Sequence, residues 1–245
     1  MVLVASWDRC GVFSFGDKSF RIRNKGMMSG YFRAQLGLVV VTFLALLWAN
    51  YMVFMVVPNE RVMGPIQRIF YFHVGSAFAA YFAIAAALIA SLGYLATRSK
   101  KMDLLLEAAG EVGFVFCTIV LLSGMIWAKT AWNTYFNWEP RLVSFLLLWM
   151  IFLSFVILRH FGDPARVSQH SAILGIVGAV TVPIVVFSID LLPQMAQLHP
   201  QVVSKQGLRD PSYYQALAIA SFGLICLQFL LIWIRAQIGF LHRRV

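Results

Sequence analysis

Two histidines and one dense run of aromatic rings carry most of the chemistry this chain could perform. His73 closes the run RIFYFH inside an apolar stretch, and His199 stands in QLHPQ within a polar one. Between them lies WAKTAWNTYFNWEPRL, residues 127–142, where Trp127, Trp132, Tyr135, Phe136 and Trp138 are interleaved with Lys129, Glu139 and Arg141. Two neutral imidazoles can bind a metal axially while a platform of rings holds a large planar ligand around it. Zinc fits less well, because no Cys, Asp or Glu joins the two histidines at the usual ligand spacing. Arg68 and Arg141 are cations near the histidines, suited to a carboxylated ligand through charge-assisted bonds.

The elements that must position these residues follow from composition. Of 245 residues, 60% are hydrophobic and 12% charged, a balance foreign to a water-soluble domain. Stretches without Asp, Glu, Lys or Arg run over 36–57, 69–96, 112–128, 142–158, 171–189 and 213–234. Each approaches or exceeds the roughly 17–20 residues that a membrane span needs. Helices are expected because lipid offers the backbone no hydrogen-bonding partner. The chain is therefore expected to be an all-α integral membrane bundle of six transmembrane helices, spanning 36–235. An N-terminal arm at 1–35 and a tail at 236–245 flank it. The arm is too polar for a cleavable signal, so the first helix is expected to act as an uncleaved anchor.

Charge asymmetry sets the expected orientation. With both termini cytoplasmic, segments 1–35, 97–111, 159–170 and 235–245 hold 14 of the 20 Lys and Arg, as the positive-inside rule asks. The net charge of +10 then meets anionic headgroups, and no nucleic-acid partner is needed to account for it. Two outer loops follow, an aromatic one at 127–141 and a histidine-bearing one at 190–212. His73 and His199 share the outer side, while His160, His170 and His242 face the cytoplasm. Cys10, Cys117 and Cys226 form neither CxxC nor CxxCH, and no GxxxxGK[ST] occurs. Thioredoxin-like, c-type cytochrome and P-loop chemistry are thereby set aside. Pro183 is expected to kink the fifth helix.

Each feature has a plainer alternative. An ionisable group inside a membrane helix is costly and usually functional. Yet His73 could simply bond a neighbouring carbonyl, and His199 could be a polar loop residue. Tryptophan and tyrosine line membrane interfaces as belts. Such a belt accounts poorly for the ring density here and leaves Glu139 and Arg141 unexplained. Arg68 and Arg141 could snorkel to headgroup phosphates. Small residues after His73 (Gly75, Ser76, Ala77, Ala79 and Ala80) would admit a flat group or another helix close to the backbone.

The aromatic run resembles the tryptophan-rich signature of the cytochrome c assembly proteins, the WWD domain, approximately W-G-x-x-W-G-T-W-W-x-W-D-x-R-L. Trp127, Trp132, Thr134, Trp138, Arg141 and Leu142 match; Tyr135 and Phe136 replace a tryptophan pair, and Glu139 an aspartate. RIFYFHVGSA is similar to the family's R-I-x-Y-x-H-V-P-A-A, which sets Arg68 and His73 on family positions. VPIVVFSID with QLHPQ resembles the region of the second family histidine, His199. Here DLLPQMAQLH lacks the two tryptophans usual before it. The resemblance covers about residues 60–235. It is strongest to the CcmC branch, because larger relatives carry more histidines within the membrane.

That resemblance implies a bacterial inner-membrane protein holding heme b (iron protoporphyrin IX) at the periplasmic face. His73 and His199 would bind the iron, with the aromatic loop, Glu139, Arg141 and Arg68 around the porphyrin. Its implied partners are the periplasmic heme chaperone CcmE, the small membrane protein CcmD and the CcmA–CcmB transporter, besides membrane lipid. A role in transfer rather than enzymatic turnover is implied. His73, on a packed helix, is the expected fixed ligand and His199, on a loop, the exchangeable one. Two other classes stand beside this reading. One is a heme transporter, which would want polar groups near the midplane. The other is a b-type cytochrome or quinone oxidoreductase subunit, which would want a second histidine within the membrane.

Overall fold

The computed structural model describes residues 18–61, 63–192, 195 and 210–242, with side chains from residue 30 to residue 241 among these. Among the described residues, six helices are long and apolar enough to cross a membrane. They are α1 (Lys18–Tyr51), α2 (Arg68–Thr97), α3 (Lys100–Trp132), α4 (Pro140–Phe161), α5 (Val167–Leu191) and α6 (Pro211–His242). The expected six-span, all-α class is the observed one. Among the described residues there is no strand, only one isolated bridge between Glu60 and Gly64. The chain divides into two compact units, 1–40 and 41–245. The described part of the first is helical throughout and exposes Tyr31, Phe32, Leu36 and Val39. The second holds the remainder of α1 and the bundle.

Local chemistry explains where the helices stop. At the end of α2, Arg98 adopts a left-handed conformation (φ 55°) and its N–H closes onto the Tyr94 carbonyl at 2.7 Å. Ser99 then caps α3, its hydroxyl accepting from the Lys101 N–H at 3.3 Å. So short a turn makes α2 and α3 antiparallel neighbours. The far end of α3 stops at Asn133, also left-handed (φ 55°), a conformation asparagine tolerates better than most residues. Pro140 starts α4 at a position where a missing N–H costs nothing. At the head of α6, the Asp210 carboxylate accepts from the Ser212 N–H at 2.8 Å, and Pro211 opens the helix.

Helix α2 is the spine. Its buried residues, among them Gly75, Ser76, Ala79, Ala80, Ala83, Ala87, Ala90 and Ser91, are nearly all small. Small faces let helix backbones approach closely, which is how packing holds helices together where no water drives them. At Gly75 a Cβ would lie 2.9 Å from Leu224 Cδ1 and 3.2 Å from the Ser221 Cα, so α6 crosses in near-contact there. Larger side chains fill the opposite wall: Phe116 from α3 and Leu148, Phe152 and Phe155 from α4 are fully buried. A second cluster joins Ala49, Met52 and Val53 to Tyr71, Ala216 and Ala220.

At the end of the bundle bearing the α2–α3 turn, charge is paired. Arg159 and Asp103 form a 2.7 Å ion pair with side-chain exposures of 3% and 5%. Arg235 bridges Glu111 at 2.6 Å and Glu107 at 3.0 Å. Asp103, Glu107 and Glu111 recur every fourth residue along one face of α3, so these contacts tie α3 to α4 and α6.

Candidate ligand cavity

At the other end, α2, α3, α4 and α5 part around a cavity of about 420 Å³ that opens at the surface. Phe70, His73 and Tyr81 reach it from α2, and Gly124 and Trp127 from α3. Trp132 enters from the last residue of α3, Tyr135 and Phe136 from the connection to α4, Arg141 and Phe145 from α4, and Asp190 from α5. Six of the ten residues singled out in the sequence are thus brought together: His73, Trp127, Trp132, Tyr135, Phe136 and Arg141.

The aromatic segment is only partly a loop. Trp127 to Trp132 form the last turns of α3, since nothing before Asn133 breaks the helix; only 133–139 is irregular. This splits the rings into two sets. Trp127, 8% exposed, packs edge-on to Trp132 with centroids 5.0 Å apart. Its indole N–H is buried without a hydrogen-bond partner among the described residues, a donor left over beside the cavity. Phe136 meets Trp138 edge-on at 5.2 Å, but Trp138 is 78% exposed and does not line the cavity. Lys129 links the sets: its ammonium lies 5.3 Å from the Tyr135 ring centre and donates to Asn133 Oδ1 at 2.8 Å.

His73 stands half-buried in the first turns of α2, and its Nδ1 lies 3.0 Å from Ser123 Oγ on α3. Beside it, a Cβ on Gly124 would fall 3.0 Å from His73 Cε1, so the ring occupies the space that glycine leaves. The Ser123–Gly124 seat escaped the sequence reading. So did Tyr81, two turns along α2 from His73, and Asp190 in the last turn of α5. For Ser123 and Gly124 the available signal was a polar and a small residue interrupting VLLSGMIW.

The arginines depart from their expected placement. Arg141 donates from Nη2 to the Val186 carbonyl at 2.7 Å, with Tyr81, Asp190 and Glu139 as its ionisable neighbours. Part of the guanidinium thus pins the head of α4 to the last turns of α5. Arg68 lies outside the cavity lining: it donates to Asn59 Oδ1 at 3.2 Å and sits 5.7 Å above the Phe54 ring. Glu139 is buried at the head of α4 and also lies outside the lining. His199 falls outside the described residues, as does most of the 190–212 segment. His160 belongs to the opposite end, its Nδ1 2.9 Å from the Val156 carbonyl. Among the described residues, no three His, Cys, Asp or Glu side chains gather as a metal cluster.

The family model described as CcmC, Heme exporter protein C, matches residues 24–245, which takes in all six spans. The chain belongs to the heme exporter protein C family. Among its relatives, Heme exporter protein C of Bradyrhizobium diazoefficiens is 34% identical over 151 residues, 61% of this chain and 57% of that protein. Heme exporter protein C of Escherichia coli is 30% identical over 190 residues, 77% of this chain and 75% of its own. That of Paracoccus denitrificans is 28% identical over 206 residues, covering 82% and 83%. The match to the heme exporter protein C family therefore includes both the cavity and the ion-paired end.

Proposed function

We propose that this chain is a heme-holding platform of cytochrome c maturation, collecting heme as cargo and handing it to the chaperone CcmE. The observation that carries the reading is the half-open cavity in which an imidazole from a membrane-embedded helix meets a wall of rings. In this reading His73 supplies one axial nitrogen and His199 the other. Trp127, Trp132, Tyr135 and Phe136 cover the porphyrin, each large ring contributing roughly 150–250 Å² of apolar surface. Carboxylates of the cargo, costly to desolvate alone, turn toward the guanidinium of Arg141 and the wetter mouth. Arg68, Trp138 and Glu139 shape the approach from outside the cavity.

Release matters as much as capture for a carrier. An open flank leaves the cargo reachable by a second protein, while His73 stays seated on a packed helix. We assign the cavity to the periplasmic face of a bacterial inner membrane with both termini cytoplasmic. CcmD and the CcmA–CcmB transporter are the further partners. The test is the absorption spectrum of the purified protein from heme-replete cells. A Soret band of bis-histidine character that vanishes in His73→Ala supports the platform; heme retained at full occupancy in that variant sinks it.

A further inference from the structure

We propose that Ser123 is a positioning residue that holds His73 as its Nδ1–H tautomer and so leaves the Nε2 lone pair open to the cavity. The Ser123 hydroxyl has a single proton, and it donates to the Ile119 carbonyl of its own helix at 2.6 Å. Toward His73, 3.0 Å away, the same oxygen can then only accept. The Val120 carbonyl, 3.3 Å from the same Ser123 Oγ, is a further acceptor for that hydroxyl proton, and a carbonyl never donates. This flank of the ring therefore demands an N–H. A neutral imidazole carries one such proton, so Nε2 becomes the acceptor, and among the described residues no side chain bonds to it.

Gly124 completes the seat. Its missing side chain lets the ring come close to α3, with Cε1 where a methyl would meet it at 3.0 Å. Orientation and tautomer are thus fixed together, from a helix 50 residues away in sequence. A neutral histidine in water favours the opposite tautomer, so α3 selects the form that a metal-binding Nε2 requires. Partners of this kind commonly govern ligand strength, with losses of about 10–100-fold when they are removed. The consequence for cargo rests on the platform reading; the tautomer does not.

The deciding measurement is 15N NMR of the heme-free full-length chain in lipid nanodiscs, with labelled histidine, at a pH where His73 is neutral. His73→Gln identifies the resonance by its loss. Wild type should show a protonated Nδ1 and a bare Nε2. Ser123→Ala should shift the population toward Nε2–H, and Ser123→Thr, which keeps the hydroxyl, should restore the original pattern. A wild-type Nε2–H signal, or a pattern unmoved by Ser123→Ala, overturns the proposal. Hemin titration of the same samples separates the two claims. Ser123→Ala should weaken binding by about tenfold, with Ser123→Thr near wild type. If the tautomer responds as stated but hemin binds equally to wild type and His73→Gln, the Ser123 assignment stands and the platform reading falls.

Discussion

The two ends of the helical bundle solve opposite problems with the same six helices. At the α2–α3 turn, helices converge and charges are matched: Arg159 with Asp103, Arg235 with Glu107 and Glu111. At the aromatic end the helices part around a cavity walled mostly by rings, and polar atoms such as the Trp127 N–H are left over. Closure at one end anchors a frame whose other end can stay open. An open cavity sacrifices packing, and its stability has to be supplied elsewhere in the bundle.

The largest effect should come from breaking the closed end. Asp103→Ala strands Arg159 in a nearly dry environment and should destabilise by about 3–5 kcal/mol. Thermal unfolding in detergent or nanodiscs should show this, and a neutral pair such as Asp103→Leu with Arg159→Leu should recover much of it. If Asp103→Ala unfolds like wild type, the closed end is not the anchor.

At the open end, His73→Ala should leave unfolding nearly unchanged and reduce hemin affinity by about a hundredfold, roughly 2.7 kcal/mol. His160→Ala and His170→Ala, at the closed end, should bind hemin as wild type does. Equal losses across the three would erase the distinction between the ends. Arg141→Gln lies between the regions in character, because the residue faces the cavity and also holds the Val186 carbonyl. It should cost stability by about 1.5–3 kcal/mol as well as hemin affinity. Arg141→Lys should recover only part, lacking the planar fork. Hemin with esterified carboxylates tells the roles apart, since a purely structural Arg141 would penalise both forms equally.

The smallest expected change is at Trp138, which is exposed and meets Phe136 edge-on. Trp138→Ala should alter unfolding by less than about 0.5 kcal/mol, as surface substitutions do. Its effect on hemin retention should be several-fold at most, and smaller still for Trp138→Phe, which keeps a ring face. A Trp138→Ala loss as large as that of His73→Ala would mean the rings act as one unit that includes the exposed face.

How much of this the residues disclose by themselves depends on distance along the chain. Spans are legible because lipid enforces long charge-free runs, and the embedded His73 is legible for an equally local reason. The extent of α3 is not, because aromatic density suggests a loop while Trp127 to Trp132 remain good enough helix formers to continue it. Arg141 read as a free outer cation because its Val186 partner lies 45 residues on, and only the crossing of α4 with α5 brings them together. Ser123 and Gly124 meet His73 through the register of α2 against α3, which the small-residue face of α2 sets but no local pattern reveals. Arg68 was placed beside the site by its nearness to His73, yet on a helix a five-residue step points elsewhere, and it meets Asn59 and Phe54 instead.

Helix α3 has 33 residues and α4 only 22. At about 1.5 Å per residue the first measures roughly 50 Å, well beyond a hydrocarbon core of about 30 Å. A rod that outruns its bilayer must lean or protrude. The Trp127–Trp132 turn stands at its tip, which the platform reading sets at the boundary between oil and water. Membrane thickness is thus a variable of the site itself. In a thin bilayer the ring-lined mouth stands proud and wet; in a thick one it sinks to the acyl chains, and the same residues meet a different solvent.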